Sequence, residues 1–180
     1  GGRYHNKKDL MAFPTMGRQD LCWPQQQAVS HSAFHPEIDI FSAIRSNDVL
    51  LHFPYHSFQH TMDFLRQAAI DPDVKTIRIT LYRVSKNSQV INALINAARN
   101  GKRVTALVEL QARFDEEHNI KITRQLTEAG VRVIPGVQGL KVHCKLILIS
   151  RRESGKTVRY VYAGTGNFSE RTAKVYTDHA

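Results

Sequence analysis

From Asp48 onward the apolar residues follow two alternating patterns, short β-branched runs and helical stripes. Val49 to Phe53 is an apolar run stopped by Pro54, as in a short buried strand. Ser57 is placed to cap a helix reaching about Ile70 and closing at Asp71-Pro72. Thr76 to Val84 is rich in β-branched residues and predicts a strand. Ser88 is a second candidate cap, and Val90, Ile91, Leu94, Ile95 and Ala98 recur behind it at helical spacing, with Gly101 where a left-handed C-terminal residue belongs. Val104 to Leu110 predicts a strand, Asp115 to Ala129 a helix closed by Gly130, and Val131 to Ile134 a strand. Beyond Lys141 the helical period vanishes, and Val142–Ile149 and Val158–Ala163 read as two further strands.

Strands alternating with helices of about a dozen residues imply βαβ units. The expected fold is therefore α/β, a mainly parallel sheet flanked by helices on both faces. In such sheets the working groups gather at the carboxyl ends of strands, and Arg83 and Arg113 each lie just after a predicted strand. Residues 1–47 lack a sustained period and are broken by Pro14, Pro24, Gln25-Gln26-Gln27 and Pro36. They read as a linker or the edge of a preceding domain, leaving 48–180 as the folded domain.

A hydrophobic content of 42% is enough for a core. No apolar run approaches the length of a membrane span. Cys22 and Cys144 form no CxxC pair, which argues for a reducing compartment and against structural zinc. The net charge of +9 favours an anionic partner without naming it. That excess is concentrated: residues 141–180 hold eight Lys/Arg against three Asp/Glu. The Gly1-Gly2-Arg3-Tyr4 start and the abrupt end at Ala180 read as a piece cut from a longer protein.

The basic segment also holds the densest chemistry. Gly139-Leu-Lys-Val-His143-Cys-Lys145 is followed by Gly164-Thr-Gly166-Asn167. Residues two apart on a strand share a face, so His143 and Lys145 are expected to project together and Cys144 the other way. An imidazole beside an ammonium suits attack on phosphorus: the neutral ring attacks, and the lysine stabilises the equatorial oxygens. Gly164 and Gly166 allow a backbone to approach phosphate closely, and Asn167 can donate a hydrogen bond.

H-x-K followed by G-x-x-N resembles one half of a phospholipase D superfamily site. Ser150 stands where that superfamily usually has an aspartate, seven residues after the histidine. The wider wording resembles polyphosphate kinases of the first type. It includes Tyr4-His-Asn6, Pro54-Tyr-His56, Ile79 to Arg83, Val108-Glu-Leu-Gln-Ala-Arg-Phe-Asp-Glu116, Thr127 to Gly130 and Gly164 to Phe168. The resemblance implies a phospholipase D-like fold and an enzyme, an ATP:polyphosphate phosphotransferase that works through a phosphohistidine at His143. By it Arg83 and Arg113 attend phosphate and magnesium. A guanidinium cannot ligate Mg²⁺, so both are assigned to phosphate oxygens of a magnesium–phosphate cluster. Tyr176 matches a tyrosine at the nucleotide site. The implied partners are ATP or ADP, polyphosphate and the remaining domains of a longer enzyme, with room for a homo-oligomer and no specific nucleic acid. The implied location is cytoplasmic or peripheral to the inner membrane. In the family a second half-site supplies another histidine from downstream sequence, so this chain alone is expected to be inactive or weakly active.

Two other functional classes compete. A phospholipase D-like phosphodiesterase or nuclease would use the same histidine, and Ser150 argues against it. A basic nucleic-acid-binding module would need aromatic residues interleaved with its charges, and these are absent. His52, His56 and His60 fall four apart, but Pro54 interrupts the helix that would align them on a metal. His5-Asn6-Lys7 is a second H-x-K with no G-x-x-N behind it. Asp115-Glu116-Glu117 suits a helix N-terminus without further function.

Overall fold

The computed structural model describes residues 10, 13–24, 26–35, 37–85, 88–110 and 116–180. The elements are α1 (Ile40–Ser46), β1 (His52–Phe53), α2 (Gln59–Ile70), β2 (Val74–Leu81), α3 (Gln89–Arg99), β3 (Arg103–Val108) and α4 (Glu116–Glu128), then β4 (Arg132–Pro135), β5 (Lys145–Glu153), β6 (Lys156–Gly164) and β7 (Asp178–His179). Local signals place most of them. Ser88 caps α3 by accepting the amide of Val90, and Gly101 and Gly130 take φ of +77° and +84° behind α3 and α4. Ser57 does not cap α2. The N-cap is Phe58, while the Ser57 hydroxyl accepts the amide of Gln59.

The expectation of a mainly parallel sheet is wrong. The five-stranded sheet runs β4-β3-β2-β5-β6. Its β2–β3 and β3–β4 pairs are parallel, whereas β2–β5, β5–β6 and the separate β1–β7 ribbon are antiparallel. A parallel neighbour needs a crossover of a dozen or more residues, and no helix lies between β4 and β5. The turn from β5 to β6 is a two-residue hairpin, Ser154 and Gly155, both with positive φ (46° and 80°).

Coverage on both faces also fails. Ile77, Ile79 and Leu81 of β2, Val104, Ala106 and Val108 of β3, and Ile147 and Ile149 of β5 are buried. Helix α1 packs on α2, α2 on α3 and α3 on α4, a continuous layer. The alternate positions Arg78, Leu146 and Val161 are exposed among the described residues. The sheet is polar or open on that side, as an antiparallel sheet tolerates.

The folded unit also starts before Asp48. Ile40 and Phe41 of α1 are buried, and Phe41 meets the rings of Phe64 and Tyr160 at 5.7 and 4.9 Å. Full burial of a side chain of this kind is worth about 1.5–3 kcal/mol. Earlier residues are mostly exposed, although Val29 bridges to His56. The expected strand at Val49–Phe53 shrinks to β1 and joins β7 instead of the main sheet.

Candidate active site

Strands β2 and β3 run side by side in parallel and end together. Beyond Leu81 the chain delivers Tyr82 and Arg83, and beyond Val108 it delivers Glu109. Carbonyl groups at strand ends lose their ladder partners and need others when buried. Asn119 of α4, itself buried, supplies them: its Nδ2 donates to the Tyr82 carbonyl at 3.0 Å and to the Glu109 carbonyl at 2.7 Å. The buried Glu109 carboxylate accepts the amide of Val142 at 2.8 Å. One side chain thus gathers two strand ends, and one of those ends holds the loop leading into His143.

Lys145 opens β5, one residue beyond Cys144, and lies opposite Gly164 at the end of β6. The H-x-K and G-x-G-N stretches are therefore joined by hairpin register. His143 precedes the strand and does not lie in it as expected, yet it still meets Lys145. The Lys145 Nζ lies 3.2 Å from Nδ1 and 3.3 Å from Nε2 of His143. Lys145 is only 4% exposed, whereas the His143 ring faces solvent. Burial holds the Lys145 ammonium below the ordinary lysine pKa; Asp178 opposes that shift, and the Arg83 charge reinforces it.

Tyr82 organises the remaining charge. Its ring stands edge-on to the His143 ring at 5.1 Å and 67°. Arg83 Cζ, Lys145 Nζ and Lys141 Nζ lie 5.4, 5.5 and 5.9 Å from its centroid. Cation–π attraction of about 0.5–1 kcal/mol per contact helps hold like charges around one ring. The resulting cluster of cations next to an exposed imidazole is built for a multiply charged anion. Tyr82, Lys141 and Asn119 are not among the site residues expected from sequence, and the sequence leaves Glu109 open between orienting Arg113 and packing at the strand end. Tyr82 adjoins Arg83 and Lys141 shares the G-L-K-V-H run, so those two had a local signal. The Asn119 fork had none.

Gly164 and Gly166 each lie against a neighbouring side chain. A Cβ on Gly166 would lie 2.5 Å from Asp178 Oδ2, and one on Gly164 would lie 2.8 Å from the Tyr162 ring. Their bareness makes room for these side chains. The Asp178 carboxylate is in turn held by the Thr165 hydroxyl at 2.7 Å. Asn167 is half-buried, and its Oδ1 is buried with no hydrogen-bond partner among the described residues. Tyr176 is 54% exposed just past the 3-10 turn Thr172–Lys174; its backbone amide bonds to Thr172. No hydrogen bond or ring contact joins Tyr176 or Asn167 to His143 among the described residues. Arg113 and Asp115 lie outside the described residues, as does the His5-Asn6-Lys7 stretch.

Ser150 pairs with Thr76 and Arg159, five residues along β5 from Lys145. That separation is about 16 Å of strand. Its side chain is thus remote from the His143 cluster.

Among the described residues no three His, Cys, Asp or Glu side chains form a group suited to a metal ion. The donors around His143 are cationic and fit phosphate oxygens, not Mg²⁺. A magnesium ion fits here only as the companion of a bound phosphate. His52, His56 and His60 likewise form no metal site: His52 stacks on His179 at 4.5 Å, and the ring nitrogens of His56 and His60 accept backbone amides. No described helix is long and apolar enough to cross a membrane.

Residues 39–180 match the family described as "Polyphosphate kinase C-terminal domain 1". A polyphosphate kinase of Vibrio vulnificus strain YJ016 is 56% identical over 178 residues, covering 99% of this chain and 25% of the relative. One of Escherichia coli K12 is 53% identical over 182 residues, covering all of this chain and 26% of the relative. The chain thus spans about a quarter of the length of these curated relatives. The crystal structure of polyphosphate kinase from Porphyromonas gingivalis superposes with a TM-score of 0.81 at 37% identity, over 99% of this chain and 30% of that one. A phospholipase D family member, Nuc from Salmonella typhimurium, superposes with a TM-score of 0.52 at 16% identity, over 73% of this chain and 78% of that one, a likeness of fold alone. The mixed sheet, the phospholipase D-like fold and the family match agree, and the chain belongs to the polyphosphate kinase family.

Proposed function

We propose that this segment carries the phosphoryl-accepting half of a reversible ATP:polyphosphate phosphotransferase. The observation that carries the reading is the 3.2 Å approach of the Lys145 ammonium to the His143 ring, with Arg83 and Lys141 around the same tyrosine. A neutral ring nitrogen of His143 attacks the terminal phosphorus of ATP. The N–P bond forms as the P–O bond to ADP breaks, and ADP departs with the electron pair. Lys145, Lys141 and Arg83 face the oxygens on which charge builds. A terminal oxygen of polyphosphate then attacks the phosphohistidine, restoring the imidazole and lengthening the chain by one phosphate. With ADP in excess the same steps run backward to ATP.

Arg113, Asn167 and Tyr176 enter as further contacts to phosphate and nucleotide, and magnesium carried by the nucleotide would offset phosphate charge there. The proposed partners are ATP or ADP, polyphosphate and the remaining domains of the longer enzyme, in the cytoplasm or at the inner membrane's surface. A second acid–base group to protonate the leaving oxygen is assigned to those other domains. The test incubates the enzyme containing this segment with γ-labelled ATP and, separately, with a phosphodiester. The proposal expects an acid-labile protein phosphate that chases into polyphosphate and leaves the diester whole. Diester cleavage without protein labelling by ATP would assign the site to a phosphodiesterase.

A further inference from the structure

Lys145 is held from both sides, and only one of the two holds is a strand ladder. Toward β6 it pairs with Gly164 in register. Toward β2 the ladder stops at Ile79 opposite Ile147, two residues short of Lys145. From there a side chain takes over. The Thr80 hydroxyl donates to the Cys144 carbonyl at 2.7 Å and accepts the Leu146 amide at 3.0 Å. These two residues flank Lys145 in the chain. One hydroxyl therefore uses both its donor and an acceptor pair to grip the backbone on either side of the lysine.

We infer that Thr80 is a positioning residue for the His143–Lys145 pair, its hydroxyl setting where the Lys145 ammonium stands against the imidazole; the inference rests on the phosphoryl-transfer reading above. Thr80 itself touches no reacting atom. Its effect passes through the backbone of residues 144–146. A lysine has several free torsions, so its Nζ stays 3.2 Å from His143 Nδ1 only if its origin is fixed. A strand end without the ladder or the hydroxyl would leave that origin free to drift. Displacements of about 1 Å in a reacting constellation can cost up to about a hundredfold in rate. Burial also keeps the Lys145 ammonium below its ordinary pKa, so a lysine released toward solvent would titrate closer to a free one.

Valine matches threonine in shape and strand propensity but lacks the hydroxyl, so Thr80→Val removes the grip and keeps the packing. Thr80→Ser restores it. The full chain and both variants are treated with phosphoramidate, a small donor that phosphorylates imidazole with loss of ammonia and needs no other domain. Label on His143 is followed, with melting temperature as the control for folding. In parallel the Lys145 side chain is titrated by NMR. The expected result is labelling about tenfold or more slower in Thr80→Val, with a cooperative melting transition retained and a Lys145 titration moved up toward the ordinary lysine range. Thr80→Ser should return both to the unaltered values. Unchanged labelling with an unchanged lysine titration in Thr80→Val would overturn the inference, and so would a loss that serine fails to restore. If His143→Ala took label as fast as the unaltered chain, the phosphoryl-transfer reading would fall, and the lysine titration would still decide the role of Thr80.

Discussion

The carboxylate of Glu109 accepts the backbone amide of Val142 at 2.8 Å, one residue ahead of His143. Both residues are buried, so this bond ties the end of β3 to the loop before His143 away from competing water. Removing the acceptor in Glu109→Leu leaves a buried amide without its partner, at a cost of about 1–3 kcal/mol. Glu109→Gln keeps an acceptor and should recover most of that loss. Denaturant unfolding of the two variants checks the ranking, and equal stability would remove the carboxylate from the loop's support.

Gly166→Ala tests the crowded turn beside Lys145. The new Cβ would lie 2.5 Å from Asp178 Oδ2 and 2.9 Å from Asp178 Cβ, too close for a small rotamer change to relieve. Overpacking of this kind costs about 1–3 kcal/mol. A companion Asp178→Gly should restore much of the melting temperature by removing the obstacle. If the alanine variant melts like the unaltered chain, the turn is looser than described.

How much of this was legible in sequence depends on how local each cause is. Ser88, Gly101 and Gly130 act within one helical turn, and their roles could be read directly. Strand direction is set by distant pairing, and there the alternation of β and α misled. Two local signs pointed the right way. Glu153-Ser-Gly-Lys156 is a hairpin turn, and Thr76-Ile-Arg-Ile-Thr-Leu81 alternates as a strand with one open face does. Within the site, His143 and Lys145 could be paired from spacing. The Asn119 fork joins carbonyl groups contributed by two strands, which no spacing rule reaches.

A pH effect follows from the histidines near the N-terminal arm. His60 Nε2 accepts the His31 amide at 3.0 Å, and His56 Nδ1 accepts the His52 amide at 3.0 Å. Burial lowers the pKa of both rings; His31 and His52 lower it further for His56, while Asp63 opposes the shift at His60 and His31 and His56 add to it. A depressed histidine pKa means that the unfolded chain binds the proton more readily. Stability is then complete above the ordinary histidine value of about 6.5 and is lost as pH falls below it. Melting temperature should drop as pH falls below about 6.5, and His60→Gln should flatten that slope. A slope unchanged by the substitution would place its source elsewhere.

Arg83→Ala should weaken polyphosphate binding with little change in melting, because the residue lies beyond the last residue of β2 and its guanidinium stands over the Tyr82 ring. One lost charge-assisted contact is worth about 1.5–3 kcal/mol. Binding of both forms should also fall as salt rises, less steeply for the variant. Titration with polyphosphate at two salt concentrations checks both points. A large fall in melting temperature at unchanged affinity would make Arg83 structural.

His143 is proposed to receive the phosphoryl group. The direct measurement is site-mapped, acid-labile label from γ-labelled ATP on the enzyme containing this segment, compared with its His143→Ala variant. Label is expected on His143, discharged by ADP or polyphosphate, with none above background in the variant. Label at the normal level in His143→Ala would contradict it.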